Sequence, residues 1–128
     1  MKVLLADDSE FILETLREML GSFAQVEIVK SCRNGTDALE ALKMLKPDLA
    51  IVDIKMPGLT GIEVLNEIRK QDKTLKFIIL TLFSSSYHQQ LATQAGVDYF
   101  FSKADDFEKI PMVVKELLIS EALKNQLQ

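Results

Sequence analysis

Short apolar runs alternate with longer amphipathic segments along the whole chain, and this alternation predicts the secondary structure. An apolar run of about four to eight residues, bounded by turn residues, is typical of a strand buried on both faces. Such runs predict five strands, at residues 2–6, 25–31, 49–52, 77–80 and 97–101. The segments between and after them have apolar residues at helical spacing and predict helices.

Cap and stop residues delimit the first two predicted helices. The first covers residues 10–20 and ends at Gly21. Asn34 is expected to cap the second helix, and Pro47 closes it, because a residue that precedes proline disfavours the helical conformation.

The remaining three helices also have recognisable starts. The segments 60–63 (Thr-Gly-Ile-Glu) and 86–89 (Ser-Tyr-His-Gln) match capping boxes and predict where the third and fourth helices begin. The fourth ends near Gly96. The last follows a turn at Asp105-Asp106 and has Pro111 in its first turn, where a missing N–H is harmless. The tail, residues 121–128, either extends this helix or starts a linker.

Five strand–helix pairs predict the fold class. Parallel strands joined by right-handed helical crossovers form a sheet with helices on both faces. We therefore predict an α/β fold, a doubly wound five-stranded parallel sheet in the flavodoxin-like order 2-1-3-4-5. Ligands of such folds bind outside the carboxyl ends of the strands.

Residues with reactive or charged side chains stand at four of these carboxyl ends: Asp7 and Asp8 after the first strand, Asp53 after the third, Thr81 after the fourth and Lys103 two residues beyond the fifth. Two carboxylates 4 Å apart repel by roughly 4 kcal/mol at an effective dielectric of about 20, so a shared crevice needs a cation. All-oxygen ligands select a hard ion, and Mg²⁺ also favours phosphate oxygens. The crevice thus predicts Mg²⁺ and a phosphoryl group, with a carboxylate as nucleophile.

Most of these residues also have an ordinary explanation when they are considered alone, although Asp53 as an isolated charge at a strand end is harder to explain structurally. Asp7 and Asp8 could complement a helix dipole, and Lys103 could be a solvated surface lysine. Threonine is common in strands, so Thr81 alone is uninformative. The combination is more specific than its members, because each residue falls at the same end of a different strand.

Composition narrows the class of protein. The chain has 128 residues, which is the size of one domain, and its formal charge of −4 gives no support to a nucleic-acid surface. Cys32 is the sole cysteine, so an internal disulfide is impossible, and we expect a small buried hydrophobe. The apolar run after Lys2 is too short for a signal peptide. We expect one soluble cytoplasmic domain over residues 1–128, with no membrane contact.

Taken together, the strand-end residues resemble the receiver domain of two-component response regulators. The marks of this resemblance are Asp7-Asp8, the segment from Asp53 to Gly61 (Asp-Ile-Lys-Met-Pro-Gly-Leu-Thr-Gly), Thr81 and Lys103. It covers essentially the whole chain, as in single-domain chemotaxis and sporulation-relay receivers or an isolated N-terminal receiver, with no effector domain expected.

The resemblance implies a phosphorylation site and its metal. Asp53 would accept a phosphoryl group from a phosphohistidine on a histidine kinase or phosphotransfer protein. Asp7, Asp8, Asp53 and the main-chain carbonyl of Lys55 would bind Mg²⁺. The protein would not be an enzyme, apart from promoting its own phosphoryl transfer and slow dephosphorylation.

The resemblance also implies a switch. Thr81 and Lys103 would contact the phosphoryl oxygens, and Phe100 would turn inward when Thr81 moves toward the phosphate. The fourth helix, fifth strand and fifth helix would then change as a surface and regulate a protein partner, or form a phosphorylation-dependent homodimer. Tyr99 should face the opposite side from Phe100.

Two positions depart from the family pattern. Leu82 follows Thr81 where the family usually has a small residue, so we expect it to restrict access to the phosphoryl site. Ala104 stands where many relatives have a proline, commonly after a cis bond. A non-proline cis bond costs roughly 3 kcal/mol or more, so the loop either adopts a trans bond or is strained.

The sequence disagrees with two other functions and leaves two more open. An aspartyl phosphatase of the haloacid-dehalogenase type needs Asp-x-Asp-x-Thr after the first strand, and a flavin binder needs a phosphate loop where Asp7-Asp8 would repel phosphate. An unphosphorylated docking module and a receiver fragment of a longer DNA-binding regulator stay open. His88 stands alone in its segment, and we expect an exposed helix residue.

Overall fold

The computed structural model describes residues 1–127, along which five strands and five helices alternate. The strands are β1 (Lys2–Ala6), β2 (Glu27–Cys32), β3 (Leu49–Val52), β4 (Lys76–Thr81) and β5 (Tyr99–Ser102). The helices are α1 (Glu10–Leu20), α2 (Gly35–Leu45), α3 (Gly61–Arg69), α4 (Ser86–Ala95) and α5 (Lys109–Gln126).

All strands are parallel and form one sheet in the order β2-β1-β3-β4-β5. The predicted fold class and strand order are therefore confirmed. The register aligns the strand ends, since Ala6 pairs with Val52 and Thr81 pairs with Ser102. Residues that directly follow β1, β3 and β5 consequently lie at one edge of the sheet.

Apolar side chains cover both faces of this sheet. Along β3, Ala50 and Val52 pack into the cluster beneath α2, α3 and α4, whereas Leu49 and Ile51 pack into the cluster beneath α1 and α5. All four are at most 1% exposed. Alternation of the strand explains this division, and burial on both sides explains why the sequence of β3 is uniformly apolar.

The fifth strand begins two residues later and ends one residue later than predicted. Gly96 ends α4 in a left-handed conformation with φ 93°, and the Val97 N–H donates to the Ala92 carbonyl at 3.1 Å. Both residues therefore complete the end of the helix, and β5 is Tyr99–Ser102 rather than 97–101. Lys103 consequently follows the strand directly instead of lying two residues beyond it.

One predicted capping box is confirmed and the other is wrong. Thr60 accepts the Glu63 N–H at 3.1 Å, and the Glu63 carboxylate accepts the Thr60 N–H at 2.9 Å. At α4 the cap is Ser85, whose hydroxyl accepts the His88 N–H at 3.3 Å, so Ser86 already lies inside the helix. A run of three serines precedes this helix, and the pattern alone did not distinguish which one caps it.

The last helix begins as predicted after the Asp105-Asp106 turn and includes Pro111 as its third residue. It continues through Gln126, so the predicted tail extends the helix up to that residue, whereas Gln128 lies outside the described residues. Within residues 1–127, no helix is long and apolar enough to cross a membrane.

The capping box at α3 generates a stability prediction. Replacing Thr60→Ala removes the side-chain acceptor for the Glu63 N–H, and we expect the free energy of unfolding to fall by about 1 kcal/mol. Thr93→Ala is the matched control, because the exposed Thr93 hydroxyl only bonds the Gln89 carbonyl within α4 and alanine has the higher helix propensity. Urea unfolding followed by circular dichroism measures both; equal losses would contradict the prediction.

Candidate functional site

The structure brings the three predicted carboxylates together at the carboxyl edge of the sheet. One oxygen from each of Asp7, Asp8 and Asp53 lies within 4.8 Å of the others. Neighbouring strands fix this arrangement, since the Asp53 N–H donates to the Ala6 carbonyl at 2.9 Å and the Asp7 N–H to the Cys32 carbonyl at 3.0 Å. Cys32 itself is buried, as expected, and burial raises the pKa of its thiol.

Lys103 joins two of these carboxylates. Its ammonium lies 2.7 Å from Asp7 Oδ2 and 2.9 Å from Asp53 Oδ2. The Lys103 side chain is 9% exposed, and the carboxylate side chains of Asp7 and Asp53 are 2% and 8% exposed. Lys103 is therefore a buried cation shared by two buried anions rather than a solvated surface lysine.

Backbone N–H groups hold the other oxygen of each buried carboxylate. Asp7 Oδ1 accepts the Ser9 N–H at 2.9 Å, and Asp53 Oδ1 accepts the Ile54 N–H at 2.7 Å. Hydrogen bonds to a charged acceptor are stronger than neutral ones, so both side chains have a fixed orientation. Asp8 is exposed, and its carbonyl accepts a hydrogen bond from Arg33 Nη2 at 2.8 Å.

Burial and charge act in opposite directions on the ionisation of this group. Burial raises the pKa of Asp7, and hydrogen bonds from Lys103 and from the Ser9 N–H only partly offset it. Burial alone would lower the pKa of Lys103, but its hydrogen bonds to Asp7 and Asp53 outweigh that effect and raise it. Lys103 is consequently charged throughout the physiological range.

An open cavity of about 500 Å³ gives access to these groups. Its polar lining includes Asp8, Asp53 and Lys103. Leu82, which is 69% exposed, and Phe11, which is 75% exposed, contribute to its apolar lining. Leu82 and Phe11 therefore border the cavity that opens onto Asp53, and Phe11 was not among the predicted site residues.

Thr81 is placed differently from the other predicted site residues. It is the last residue of β4, it is 0% exposed, and it is not among the residues that line the cavity. Its hydroxyl oxygen accepts the Phe83 N–H at 3.0 Å, which closes a tight turn after the strand. The hydroxyl group is thus held by the chain that follows it.

Two glycines fix the backbone that follows Asp53, and the sequence did not predict this role for them. The Gly61 N–H donates to the Ile54 carbonyl at 2.8 Å, and a Cβ on Gly61 would lie 2.1 Å from the Asp53 carbonyl oxygen. The Gly35 N–H donates to the Pro57 carbonyl at 3.0 Å, and a Cβ there would lie 1.8 Å from the Leu59 carbonyl oxygen. Glycine is required at both positions because the loop after Asp53 approaches so closely.

The aromatic residues near the site divide between the two faces of β5, as alternation predicted. Phe100 is half-buried against the cluster beneath α2, α3 and α4, and Tyr99 packs on the opposite side near Phe101, with ring centroids 5.8 Å apart. His88 is half-buried rather than exposed, since its ring centroid lies 5.9 Å from that of Phe83. His88 does not line the cavity.

The peptide bond between Lys103 and Ala104 is trans, as are all others in residues 1–127. Of the two possibilities that the sequence left open, a trans bond or a strained cis bond, this loop has the trans bond. Lys103 nevertheless reaches both carboxylates, so a proline after it is not required for that contact.

The protein family of this chain follows from a match of its sequence to a known family. Residues 3–115 match the family described as the response regulator receiver domain. The chain belongs to that family. The match extends across all five strands of the sheet, because the matched range begins in β1 and ends within α5.

Individual receiver proteins are similar over most of this chain. Chemotaxis protein CheY of Halobacterium salinarum is 38% identical over 102 residues, which are 80% of this chain and 83% of CheY. Transcriptional regulatory protein DesR of Bacillus subtilis is 31% identical over 118 residues, 92% of this chain. This receiver domain spans 58% of DesR and 35% of a protein-glutamate methylesterase of Syntrophomonas wolfei.

Solved receiver structures have the same architecture. A DNA-binding response regulator of the LuxR family from Staphylococcus aureus superposes with a TM-score of 0.83 at 30% identity, covering 90% of this chain and 96% of that one. The response regulator domain of Thermotoga maritima CheB gives a TM-score of 0.80 at 27% identity, with 94% of each chain covered.

The shared cation generates a second prediction. Lys103→Met leaves Asp7 and Asp53 as adjacent buried carboxylates without compensation, so we expect the free energy of unfolding to fall by about 3 kcal/mol. Lys70→Met is the matched control, because Lys70 pairs with Glu67 in solvent and should contribute less than about 1 kcal/mol. Urea unfolding in buffer with a metal chelator measures both, and equal small losses would argue against the shared ion pair.

Proposed function

We propose that this receiver domain is a phosphorylatable signalling switch in which Asp53 accepts a phosphoryl group from a phosphohistidine on a histidine kinase or phosphotransfer protein. The observation that carries the proposal is the convergence of a buried ammonium and an acidic cluster on one carboxylate that lines an open cavity. Phosphoryl transfer depends on positioning and charge neutralisation, and these groups provide both.

The donor set fits Mg²⁺. Asp7, Asp8 and Asp53 offer only oxygen ligands, their oxygens are mutually close, and Asp8 is accessible to solvent. We propose that these three carboxylates and the main-chain carbonyl of Lys55 hold the ion, with water and phosphoryl oxygens as its other ligands. When bound, the ion neutralises charge on the transferring group.

The transfer itself uses residues of this chain. A carboxylate oxygen of Asp53 forms a bond to phosphorus, the bond between phosphorus and the donor imidazole nitrogen breaks, and the electron pair leaves with that nitrogen. The product is an acyl phosphate on Asp53. Lys103 exchanges one carboxylate contact for a phosphoryl oxygen and so neutralises the charge that Asp53 gains.

Thr81 is the proposed link from this event to the surface. Its hydroxyl would turn toward the phosphoryl group and donate to one of its oxygens, and Phe100 would then move inward. The Phe83 N–H, which now bonds the Thr81 oxygen, would follow this movement and carry it toward α4. The surface formed by α4, β5 and α5 would change as a two-state element biased by one local charge.

The output is proposed to be a protein contact of this surface, either with a downstream partner or with a second copy of the chain. Receiver domains interact with histidine kinases and downstream targets. We propose that this one acts in the cytoplasm, together with its kinase. An alternative is that the receiver controls DNA binding by a further part of a longer regulator. This alternative is supported by the similarity to a DNA-binding response regulator from Staphylococcus aureus and by the 58% of DesR that the chain spans. A receiver fold that docks without being phosphorylated is the other alternative.

A mass measurement tests the proposed function. We expect the protein incubated with acetyl phosphate and Mg²⁺ to gain the mass of one phosphoryl group, and peptide mapping to locate it at Asp53. Asp53→Asn should gain none, and omission of Mg²⁺ should strongly reduce labelling. A wild-type protein that gains no phosphoryl mass under these conditions would favour the docking module.

Leu82 generates a prediction about rates. The exposed Leu82 side chain lines the cavity, and we propose that it hinders access to Asp53. Leu82→Ala should therefore speed both labelling by acetyl phosphate and hydrolysis of the acyl phosphate several-fold. Leu123→Ala removes a comparably exposed leucine on α5 and should leave both rates unchanged. The measurement is a time course of phosphoryl mass for wild type and the two variants. Identical rates would show that Leu82 does not restrict access to Asp53.

A further inference from the structure

Lys103 reaches the site from the turn that joins β5 to α5. Its N–H donates to the Thr81 carbonyl at 2.9 Å, and its ammonium contacts Asp7 and Asp53. None of these contacts explains what fixes the chain after Lys103, since Ala104 is exposed and follows a trans peptide bond. Another part of the turn has to hold it.

Asp106 closes this turn. Its carboxylate oxygen Oδ2 accepts the Ser102 N–H at 2.9 Å, and its own N–H donates to the Ser102 carbonyl at 2.8 Å. The Ser102 hydroxyl in turn accepts the Ala104 N–H at 3.2 Å. These three bonds join the residue before Lys103, the residue after it and the end of the turn.

The position of Ser102 makes the carboxylate bond important. Ser102 is the last residue of β5, which is an edge strand, and it is 8% exposed. A buried N–H without a partner is costly, and Asp106 supplies a charged acceptor for it. The pKa of Asp106 is lowered by this bond and by Lys109, so the acceptor is ionised in the physiological range.

We propose that Asp106 is a positioning residue for Lys103, holding the turn so that the ammonium lies between Asp7 and Asp53 and can meet a phosphoryl oxygen. This inference rests on the proposed phosphorylation of Asp53. A misplacement of a charged group by about 1 Å is sufficient to reduce a transfer rate markedly. Asp106 acts only through Lys103 and touches neither the phosphoryl group nor the metal ligands.

The test compares labelling rates of folded variants. Asp106→Ala removes the acceptor, and we expect the initial rate of labelling by acetyl phosphate with Mg²⁺ to fall about tenfold. Asp106→Ser, whose side chain is shorter, should behave similarly and replaces the alanine variant if that one does not fold. Asp106→Asn keeps an oxygen that can accept the Ser102 N–H, so its rate should lie between those of alanine and wild type.

Two controls separate positioning from general stability. Asp105→Ala alters the same turn at an exposed residue, and Lys109→Met removes the outer partner of Asp106 without touching the Ser102 bond. Both should label within about twofold of the wild-type rate. Circular dichroism at the assay temperature shows that each variant is folded, so that rates refer to native protein.

The outcomes distinguish this inference from the function on which it rests. If wild type is not labelled, or Asp53→Asn is labelled equally, the proposed function fails. If wild type is labelled at Asp53 and the folded Asp106→Ala or Asp106→Ser variant is within twofold of it, Asp106 does not position Lys103. The same conclusion follows if Asp105→Ala is slowed as much as the Asp106 variants.

Discussion

The ion pairs that Lys103 makes with Asp7 and Asp53 are the interaction on which the rest of the site depends. The register of a parallel sheet places the residues after β1 and β3 side by side, so the two carboxylates are adjacent whatever their function. Burial then makes their repulsion large, and a cation has to accompany them. Lys103 lies two strands away from β3, at the end of β5, and reaches them because β4 and β5 end in register.

This dependence links stability to reactivity. A buried carboxylate needs a nearby cation to be stable, and for the proposed transfer it also has to keep an electron pair free to attack phosphorus. The site meets both requirements by sharing one ammonium between Asp7 and Asp53 and leaving the exposed Asp8 on the solvent side. In the proposed transfer, the phosphoryl group would bring negative charge to this cluster and the divalent cation would bring positive charge, so the net charge of the cluster would change less than with either one alone.

The sequence was sufficient for the fold, because strand periodicity and the order of the elements depend on local patterns. It was also sufficient for the carboxylate cluster, because parallel strands end at the same edge. It did not predict the exact start of β5, where Gly96 and Val97 complete a helix end, nor the roles of Gly61 and Asp106. Those roles depend on distances between backbone atoms in loops, which residue patterns do not specify.

The turn from Ser102 to Lys109 connects chemistry to the surface in a way that the strand ends do not. It carries Lys103 at one end and the first residue of α5 at the other, and Asp106 bonds to both Ser102 and Lys109. A shift of the Lys103 ammonium toward a phosphoryl oxygen therefore acts on a hydrogen-bonded unit rather than on a free side chain. Since that unit begins α5, the proposed change of charge at Asp53 has a short path along the chain to one helix of the proposed output surface, in addition to the path through the Thr81 hydroxyl and Phe83.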